Sequence, residues 1–426
     1  MAERFTCAVE KEEYRSACEG LDFYGEYEGK RFCVLHFPGE GKREDFEHVK
    51  KSKLADSEKN YDFGGTIFPE GTSNFEGAEF DGNAIFAGAT FFGDANFERA
   101  QFSGEWTFFT EAQFGGVKTN FTEVQFSGES TDFTGAQFSG GVGTYFQDAT
   151  FLNEVDFGEA TFREKVTFWG KKAHPVFTSD AWAWFDTVRI EKPEQFTFNT
   201  VLLHPGWFVN VDVRKVDFTD VRWYGMPGGP EVTLEEEINE IKERGVESPH
   251  SLLAQACRRL SANAEENREY PLANEFHYWA MDAVRKGSWN HFKGLNLRGL
   301  LKKETWHDIG EHFGLITNLY WALSGYGVRA ARAFWILFAI WLVFAAVYFL
   351  LVESSPFWVF SASSIWQGLD YARQAAAYSL SALVRLNPRP QSAGLSWFQT
   401  LVTIEGILGP LQIALLVLAV RRQVMR

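Results

Sequence analysis

Phenylalanines recur through residues 63–168 at a spacing that fits neither a helix nor a flat strand. A helix buries residues three and four apart, and a strand buries every second residue. Here the steps are mostly five, alternating with steps of six to eight, so each short side of a coiled chain would deliver one inward ring. The spacing predicts a solenoid of about five coils, about 25 Å long at the distance between paired strands. Phenylalanine stands at positions 63, 68, 75, 80, 86, 91, 97, 102, 108, 114, 121, 126, 133, 138, 146, 151, 157, 162 and 168.

The pattern weakens after Lys171, and a polar helical region follows it. Val216–Trp223 restores one recognisable unit, which we interpret as part of one or two irregular final coils, and the proline- and glycine-rich residues 226–230 end it. Thr233 and Glu236 have the spacing of a capping box, which predicts the start of a charged helix. We therefore expect a solenoid over residues 59–225 and a helical connector over residues 231–325.

Two long apolar segments lie near the C-terminus. Residues 333–352 carry no charge, and a helix of 20 residues is long enough to cross a hydrocarbon core. A second span is predicted over residues 395–420, with Pro410 as a kink. Between them, residues 361–390 predict a helix and loop that re-enter the membrane from the far side. Arginines before the first span and after the second place both termini in the cytoplasm.

Short units within the solenoid resemble the pentapeptide-repeat family. Ala95-Asn96-Phe97-Glu98-Arg99 and Val155-Asp156-Phe157-Gly158-Glu159 are examples, with a small residue two positions before the central ring. The resemblance implies a right-handed quadrilateral β-helix. The expected interior then also holds small residues beside the rings, namely Ala100, Ala112, Ala136, Ala149 and Ala160.

The C-terminal segment Glu405–Leu415 resembles the end of a channel-like module found in pentapeptide-repeat membrane proteins. The whole chain is therefore similar to such proteins, which implies a two-span ion channel module related to potassium channels. The resemblance fails at the selectivity filter. Where potassium channels carry T-V-G-Y-G, this chain has Leu386, Asn387 and Pro388, so potassium selectivity is not expected.

Candidate pore-lining residues follow one face of the second span. Glu405, Gly409 and Gln412 stand at i, i+4 and i+7, and Thr403 and Gln399 add polarity nearby. An ionisable residue within a membrane usually faces a water-filled path or a partner. A ring of Glu405 carboxylates from symmetric copies would favour cations. The alternative is internal pairing of Glu405 with Arg373 or Arg385.

Three of the four cysteines lie in the N-terminal residues 1–58, which we expect to form a cap on the solenoid. Cys7, Cys18, Cys33 and His36 could hold a structural zinc as a Cys3His set. The alternative is a small aromatic cap with reduced thiols. Residues 1–10 lack the apolar core of a signal peptide, so disulfides are not expected. We expect no other cofactor.

Charge and motifs limit the function classes. The net charge is −15, and residues 62–172 hold 17 acids against 6 bases, which argues against nucleic-acid binding. No enzyme motif is present, so an enzyme is not expected. The first hypothesis is a cation-conducting homo-oligomer, most simply a tetramer, in a bacterial inner membrane, with the solenoid as a gating or assembly domain. The alternatives are a membrane-anchored scaffold that docks a cytoplasmic protein and a DNA-mimic topoisomerase-binding protein.

Overall fold

The computed structural model describes residues 5–39, 41–55, 59, 61–293, 310–351, 362–384 and 396–424. The chain divides into two compact units, Met1–Asn263 and Ala264–Arg426. The connector expected over residues 231–325 is therefore shared between the two units. The predicted filter residues 386–388 lie outside the described residues.

The first unit begins with a small cap. It contains a 3-10 helix (Glu12–Cys18), an antiparallel hairpin of β1 (Gly25–Tyr27) and β2 (Lys30–Phe32), and helix α1 (Arg43–Leu54). Phe46 of α1 is fully buried, and its ring meets that of Phe68 in the first coil at 5.2 Å between centroids. The cap thus covers the open end of the solenoid.

Four parallel sheets build the solenoid, and the chain visits them in turn. The first sheet contains β3 (Tyr61–Asp62), β6 (Ala84–Ile85), β10 (Trp106–Phe108), β14 (Ser130–Asp132), β18 (Glu154–Asp156) and β21 (Trp182–Trp184). The second contains β4 (Ile67–Phe68), β7 (Thr90–Phe91), β11 (Gln113–Phe114), β15 (Gln137–Phe138), β19 (Thr161–Phe162) and β22 (Arg189–Ile190).

The third sheet contains β8 (Ala95–Asn96), β12 (Lys118–Asn120), β16 (Gly143–Gln147), β20 (Val166–Trp169), β23 (Phe196–Asn199) and β25 (Asp217–Thr219). The fourth contains β5 (Glu79–Phe80), β9 (Gln101–Phe102), β13 (Gln125–Phe126) and β17 (Thr150–Phe151), and β24 (Leu202–Leu203) pairs with β26 (Arg222–Trp223). The solenoid has about seven turns. This agrees with about five regular coils and one or two irregular final coils, because strands continue from Trp182 to Trp223, where the phenylalanine spacing is irregular.

The interior is filled by four columns of stacked rings, one column per sheet direction. In the column through Phe86, Phe109 and Phe133, successive centroids lie 5.0 and 4.9 Å apart. This distance matches the spacing of paired strands. The five alanines expected inside are all fully buried, as predicted. One ring assignment was wrong: Phe109 is buried, whereas Phe108 ends β10 and points outward, because the coil contains one residue more than the spacing suggested.

The corners between sheets use left-handed backbone even without glycine. Residues 65, 88, 111, 135, 159 and 187 form one corner column, and all have φ between 54° and 69°. Three are Gly65, Gly88 and Gly135, and the others carry side chains. An Asp or Asn before the central ring stabilises such turns by accepting a backbone hydrogen bond two residues on. Asp156 Oδ1 accepts from Gly158 N at 2.7 Å in this way.

Helices cover the other end of the solenoid. Helix α2 (Leu234–Glu243) begins at Thr233 with the predicted capping box to Glu236. Helix α3 (Pro249–Glu266) follows and runs across the division between the units. Asn263 Nδ2 donates to Val213 O at 2.9 Å and to Val216 O at 2.8 Å, so backbone carbonyls of the last coil are satisfied by the helix.

The second unit is helical. Its elements are α4 (Tyr270–Lys293), α5 (Gly310–Ser324), α6 (Ala330–Leu351), α7 (Ala362–Leu383) and α8 (Ser396–Val424), with Pro410 inside α8. Helices α6, α7 and α8 pack against one another. Helices α6 and α8 correspond to the two predicted spans, and α7 corresponds to the helix predicted to re-enter the membrane.

Candidate functional site

The cap brings the three N-terminal cysteines and His36 together. Cys7 precedes the 3-10 helix, Cys18 ends it, and Cys33 and His36 lie in the turn after β2. Their ligand atoms all lie within 4.8 Å of one another. His36 Nδ1 is 3.0 Å from Cys18 Sγ, 3.2 Å from Cys33 Sγ and 3.7 Å from Cys7 Sγ. Four N and S donors around one point suit a tetrahedral zinc ion.

The hydrogen bonds that the four candidate ligands make with the backbone also fit a metal centre. His36 Nε2 lies 2.8 Å from Gly64 O. If Nε2 donates that bond, the tautomer leaves Nδ1 free to bind a metal, which is the usual arrangement for a histidine ligand. Cys33 N donates to Cys7 Sγ at 3.2 Å. All four cysteines of the chain are free thiols, and Cys257 is fully buried in α3.

The thiols and the imidazole shift one another's pKa. Hydrogen bonds from Cys18 and Cys7 lower the pKa of Cys33 strongly, and the bond to Cys33 raises that of Cys18. Burial lowers the pKa of His36, but its contacts with Cys33 and Cys7 outweigh burial and raise it to about 9. The lowered pKa favours the thiolate at Cys33, which is the form that binds metals, whereas His36 must lose a proton before its Nδ1 can do so.

Lys42 lies behind this cluster and was missed by the sequence analysis. It is 1% exposed, and its Nζ donates to Val34 O at 2.8 Å and to Leu35 O at 2.9 Å. Burial lowers the pKa of Lys42 to about 7, although the charges of Cys33 and Cys7 act in the opposite direction. No motif relates Lys42 to the cysteines, so only the fold could reveal its position.

The cluster is attached to the first coil. Besides the bond from His36 to Gly64, Ile67 N donates to Leu35 O at 2.9 Å. The ring of Tyr14 lies against the corner at Gly65 and Gly88, where an added Cβ would come within 2.6 and 2.3 Å of its atoms. The same contacts therefore stabilise both the cap and the first coil of the solenoid.

Among the residues that the structure describes, two helices of the second unit are long and apolar enough to cross a membrane: α6 over Ala330–Leu350 and α8 over Thr400–Arg422. A core helix of a soluble protein would be mostly buried, but only 11% and 17% of these windows are buried. Large apolar side chains are exposed on both helices, including Trp335 at 62% and Val417 at 59%.

Glu405 of α8 is fully buried between three helices. Its Oε2 accepts from Tyr348 Oη of α6 at 2.7 Å, and its Oε1 accepts from Ser379 Oγ of α7 at 2.5 Å. Arg373, one of the two predicted alternative partners, instead pairs with Asp370 within α7. The other, Arg385, lies outside the described residues.

The remaining candidate pore residues occupy different surroundings. Gly409 is buried against the end of α7, and Gln412 is buried, with Nε2 donating to Leu323 O at 2.8 Å and to Ala333 O at 2.9 Å. Thr403 is exposed. Gln399 belongs to α8, but its side chain is not among those described. Within one chain, Glu405, Gly409 and Gln412 thus share the face of α8 that packs on its neighbours, and their pore-lining role stays a prediction.

A buried acid and histidine at the far end of the solenoid were also missed. Glu237 of α2 is fully buried, contacts His204 Nδ1 and accepts from Gly206 N at 2.9 Å. The sequence held a signal: Glu237 interrupts an apolar stripe of α2 formed by Leu234, Ile238 and Ile241. An acid on such a stripe needs a buried partner. The contacts of Glu237 with His204 and Gly206 therefore hold α2 against the last coils.

Comparisons with known proteins agree with the repeat architecture. The family model described as pentapeptide repeats (9 copies) matches residues 121–170. No curated protein and no solved structure matches the chain. Fold and match together define a pentapeptide-repeat β-solenoid followed by helices, two of which could span a membrane. The chain also has a Cys3His cluster at its cap and a buried carboxylate in its apolar helices.

Proposed function

We propose that the chain is a subunit of a homo-oligomeric, cation-conducting channel with a cytoplasmic pentapeptide-repeat domain. The observation that carries the proposal is the position of α7. We propose that α7 re-enters the membrane and ends partway across it, an arrangement that a simple anchor does not need. In a channel, such a helix aims its C-terminal carbonyls, the negative end of its dipole, at the ion path.

The contacts of α7 support a C-terminal end that lies near the middle of the membrane layer. The middle residue of the window Ala330–Leu350 is Ile340, and its neighbour Trp341 donates through Nε1 to Ala376 O at 3.1 Å. The middle of Thr400–Arg422 is Leu411, and an added Cβ at nearby Gly409 would lie 2.6 Å from Leu383 O. Leu383 is the last residue of α7, so α7 ends close to the centre of the second span, whereas it contacts the centre of the first span through Ala376, seven residues earlier.

In the proposed pore, Glu405, Gly409, Gln412, Thr403 and Gln399 line the ion path. Because Glu405 is hydrogen-bonded to Tyr348 and Ser379 within one chain, this arrangement represents a closed form. Opening requires α8 to part from α7 and expose the carboxylate. Four copies are the simplest assembly that encloses such a path.

Recording from the purified chain in planar bilayers, under potassium, sodium and chloride gradients, tests this proposal. We expect discrete openings that favour cations, and a reduced cation preference in Glu405→Gln. The matched control is Asp370→Asn, which removes an exposed acid of α7 that pairs with Arg373. Unchanged reversal potentials in Glu405→Gln would show that Glu405 does not line the pore. Absence of openings from an inserted oligomer would argue against the channel.

The internal bonds of Glu405 and Gln412 favour a second candidate, a membrane-anchored scaffold. In that case the polar groups only hold the helices together, and the acidic solenoid docks a cytoplasmic protein. Native mass spectrometry in mild detergent separates the two, because a channel of two-span subunits needs several copies. A monomer that persists at all protein concentrations supports the scaffold.

We also propose that both termini lie in the cytoplasm of a bacterial cell, at the inner membrane. Arg332 near the start of α6 donates to Trp321 O at 3.2 Å, and Arg422 near the end of α8 donates to Tyr326 O at 3.2 Å. Both basic flanks are therefore close to the same segment, 321–326, and basic flanks face the cytoplasm. A C-terminal fusion to a fluorescent protein that matures only in the cytoplasm should fluoresce, and a dark fusion would reverse the topology.

Finally, we propose that Cys7, Cys18, Cys33 and His36 bind one structural zinc ion. A closed set of four protein ligands leaves no open position for catalysis, so the ion would supply folding stability only. Elemental analysis of the purified chain should find about one zinc per chain. Cys18→Ser should lose it, whereas Cys257→Ser, at the buried thiol of α3, should retain it.

A further inference from the structure

We infer that Lys42 is the built-in counter-cation of the metal centre: its ammonium group offsets the charge of the zinc site and holds the turn from Cys33 to His36 in its ligating form. The inference rests on the zinc site proposed above. It assigns a positioning role to a residue that does not touch the metal.

The surroundings of Lys42 are unusual for a lysine. Lysines are almost never fully buried unless they are paired, yet Lys42 is 1% exposed. No acidic side chain in the described part of the chain forms an ion pair with it. Its Nζ instead donates to the carbonyls of Val34 and Leu35 and lies 5.0 Å from the centre of the Phe46 ring.

The charge of the metal centre explains this burial. Zinc carries two positive charges, three thiolates carry three negative charges, and the neutral imidazole of His36 adds none. A loaded site therefore has a net charge of −1, which is costly inside a protein unless an opposite charge lies close by. One lysine ammonium brings the sum to zero, and the negative charges of Cys33 and Cys7 favour this protonated form of Lys42 against the effect of burial on its pKa. Lys42 is the buried cation that the fold places beside the site.

The two hydrogen bonds of Lys42 act on the metal-binding turn itself. Val34 and Leu35 are the two residues between the ligands Cys33 and His36. An ammonium that binds both carbonyls fixes the backbone on which both ligands are mounted. Groups behind metal ligands commonly change metal affinity by about 10–100-fold. Because Leu35 O also accepts from Ile67 N, the same turn connects the metal to the first coil.

The test is a zinc affinity measurement on the full chain in detergent, by competition with a chromophoric chelator. Lys42→Gln keeps an N–H donor but removes the charge, and we expect zinc to bind at least about tenfold more weakly. Lys42→Arg keeps the charge, and we expect an affinity close to that of the native chain. The matched control is Lys50→Gln. Lys50 is a buried lysine of α1 that donates to Thr72 O, and its loss should leave zinc affinity unchanged.

The outcomes separate this inference from the zinc site itself. If Lys42→Gln binds zinc as tightly as the native chain, or if Lys42→Arg is as weak as Lys42→Gln, charge compensation is wrong and the zinc site stands. If the native chain takes up no zinc, both proposals fail. Should circular dichroism show that Lys42→Gln does not fold, Lys42→Met replaces it, since methionine keeps the apolar stem and removes the charge.

Discussion

At the scale of single residues, the interior of the solenoid depends on which of two neighbouring side chains points inward. Phe108 and Phe109 have the same chemistry, but only Phe109 stacks in the column, 5.0 Å from Phe86 and 4.9 Å from Phe133. Phe108 faces outward beside Trp106. The two positions therefore form a matched pair for measuring what a stacked ring contributes.

Phe109→Ala should lower the free energy of unfolding by about 3–5 kcal/mol, because it leaves a cavity in a close-packed column. Phe108→Ala should cost less than about 1 kcal/mol, as expected for a partly exposed position. Thermal and denaturant unfolding of the two variants checks this difference. Equal losses would mean that the ring columns do not carry the stability of the solenoid.

At the scale of elements, the second unit contains an elbow between α5 and α6. Gly325, Tyr326 and Gly327 all have left-handed φ angles of 54°, 60° and 69°. Two of the three residues are glycines, which adopt left-handed backbone without a side-chain penalty. Tyr326 is fully buried, and its hydroxyl donates to Asp282 of α4 at 3.2 Å. The elbow therefore joins α4 to the base of α6.

Gly327→Ala should destabilise this elbow by about 1–3 kcal/mol, from left-handed backbone strain and overpacking. The added Cβ would lie 2.6 Å from Tyr320 Oη and 2.7 Å from Leu418 Cδ2. The matched control is Gly368→Ala in α7, where nothing lies within 4 Å of the added atom. That change should stabilise α7 by up to about 1 kcal/mol. Melting temperatures in detergent decide the comparison, and a neutral Gly327→Ala would contradict the packing described here.

At the scale of the whole molecule, the solenoid behaves as a stack in which each coil contacts only its neighbours. Its two open ends are covered by different means. The cap with its Cys3His cluster closes the first coil, and α2 and α3 close the last through Glu237 and Asn263. Covering both ends also removes free strand edges that could pair with other chains.

Removal of zinc by a chelator should therefore loosen one end only. Hydrogen–deuterium exchange should rise in the cap and in β3 to β5, because His36 and Leu35 bind the first coil. Exchange in β23 to β26, about five coils away, should stay unchanged. Adding zinc back should restore protection. A uniform rise along the whole solenoid would contradict the stack-like behaviour.

The sequence alone determined the architecture wherever a short-range period carried it. Regular phenylalanine steps predicted the solenoid, and the Thr233–Glu236 spacing predicted the start of α2. Two long apolar segments predicted α6 and α8. Each of these signals depends on residues close together in the chain, because side-chain period and capping are local properties. The convergence of Cys7, Cys18, Cys33 and His36 was also expected from residue type.

Tertiary structure alone decided which distant groups meet. Nothing local shows that Lys42 reaches the carbonyls between Cys33 and His36, or that Tyr348 and Ser379 donate to Glu405. Each of these side chains is buried, and a buried polar group takes whichever partner the packing brings within reach. The choice between Phe108 and Phe109 was decided the same way. One extra residue in a coil changes which side chain faces inward, and only the stacking of neighbouring coils fixes that register.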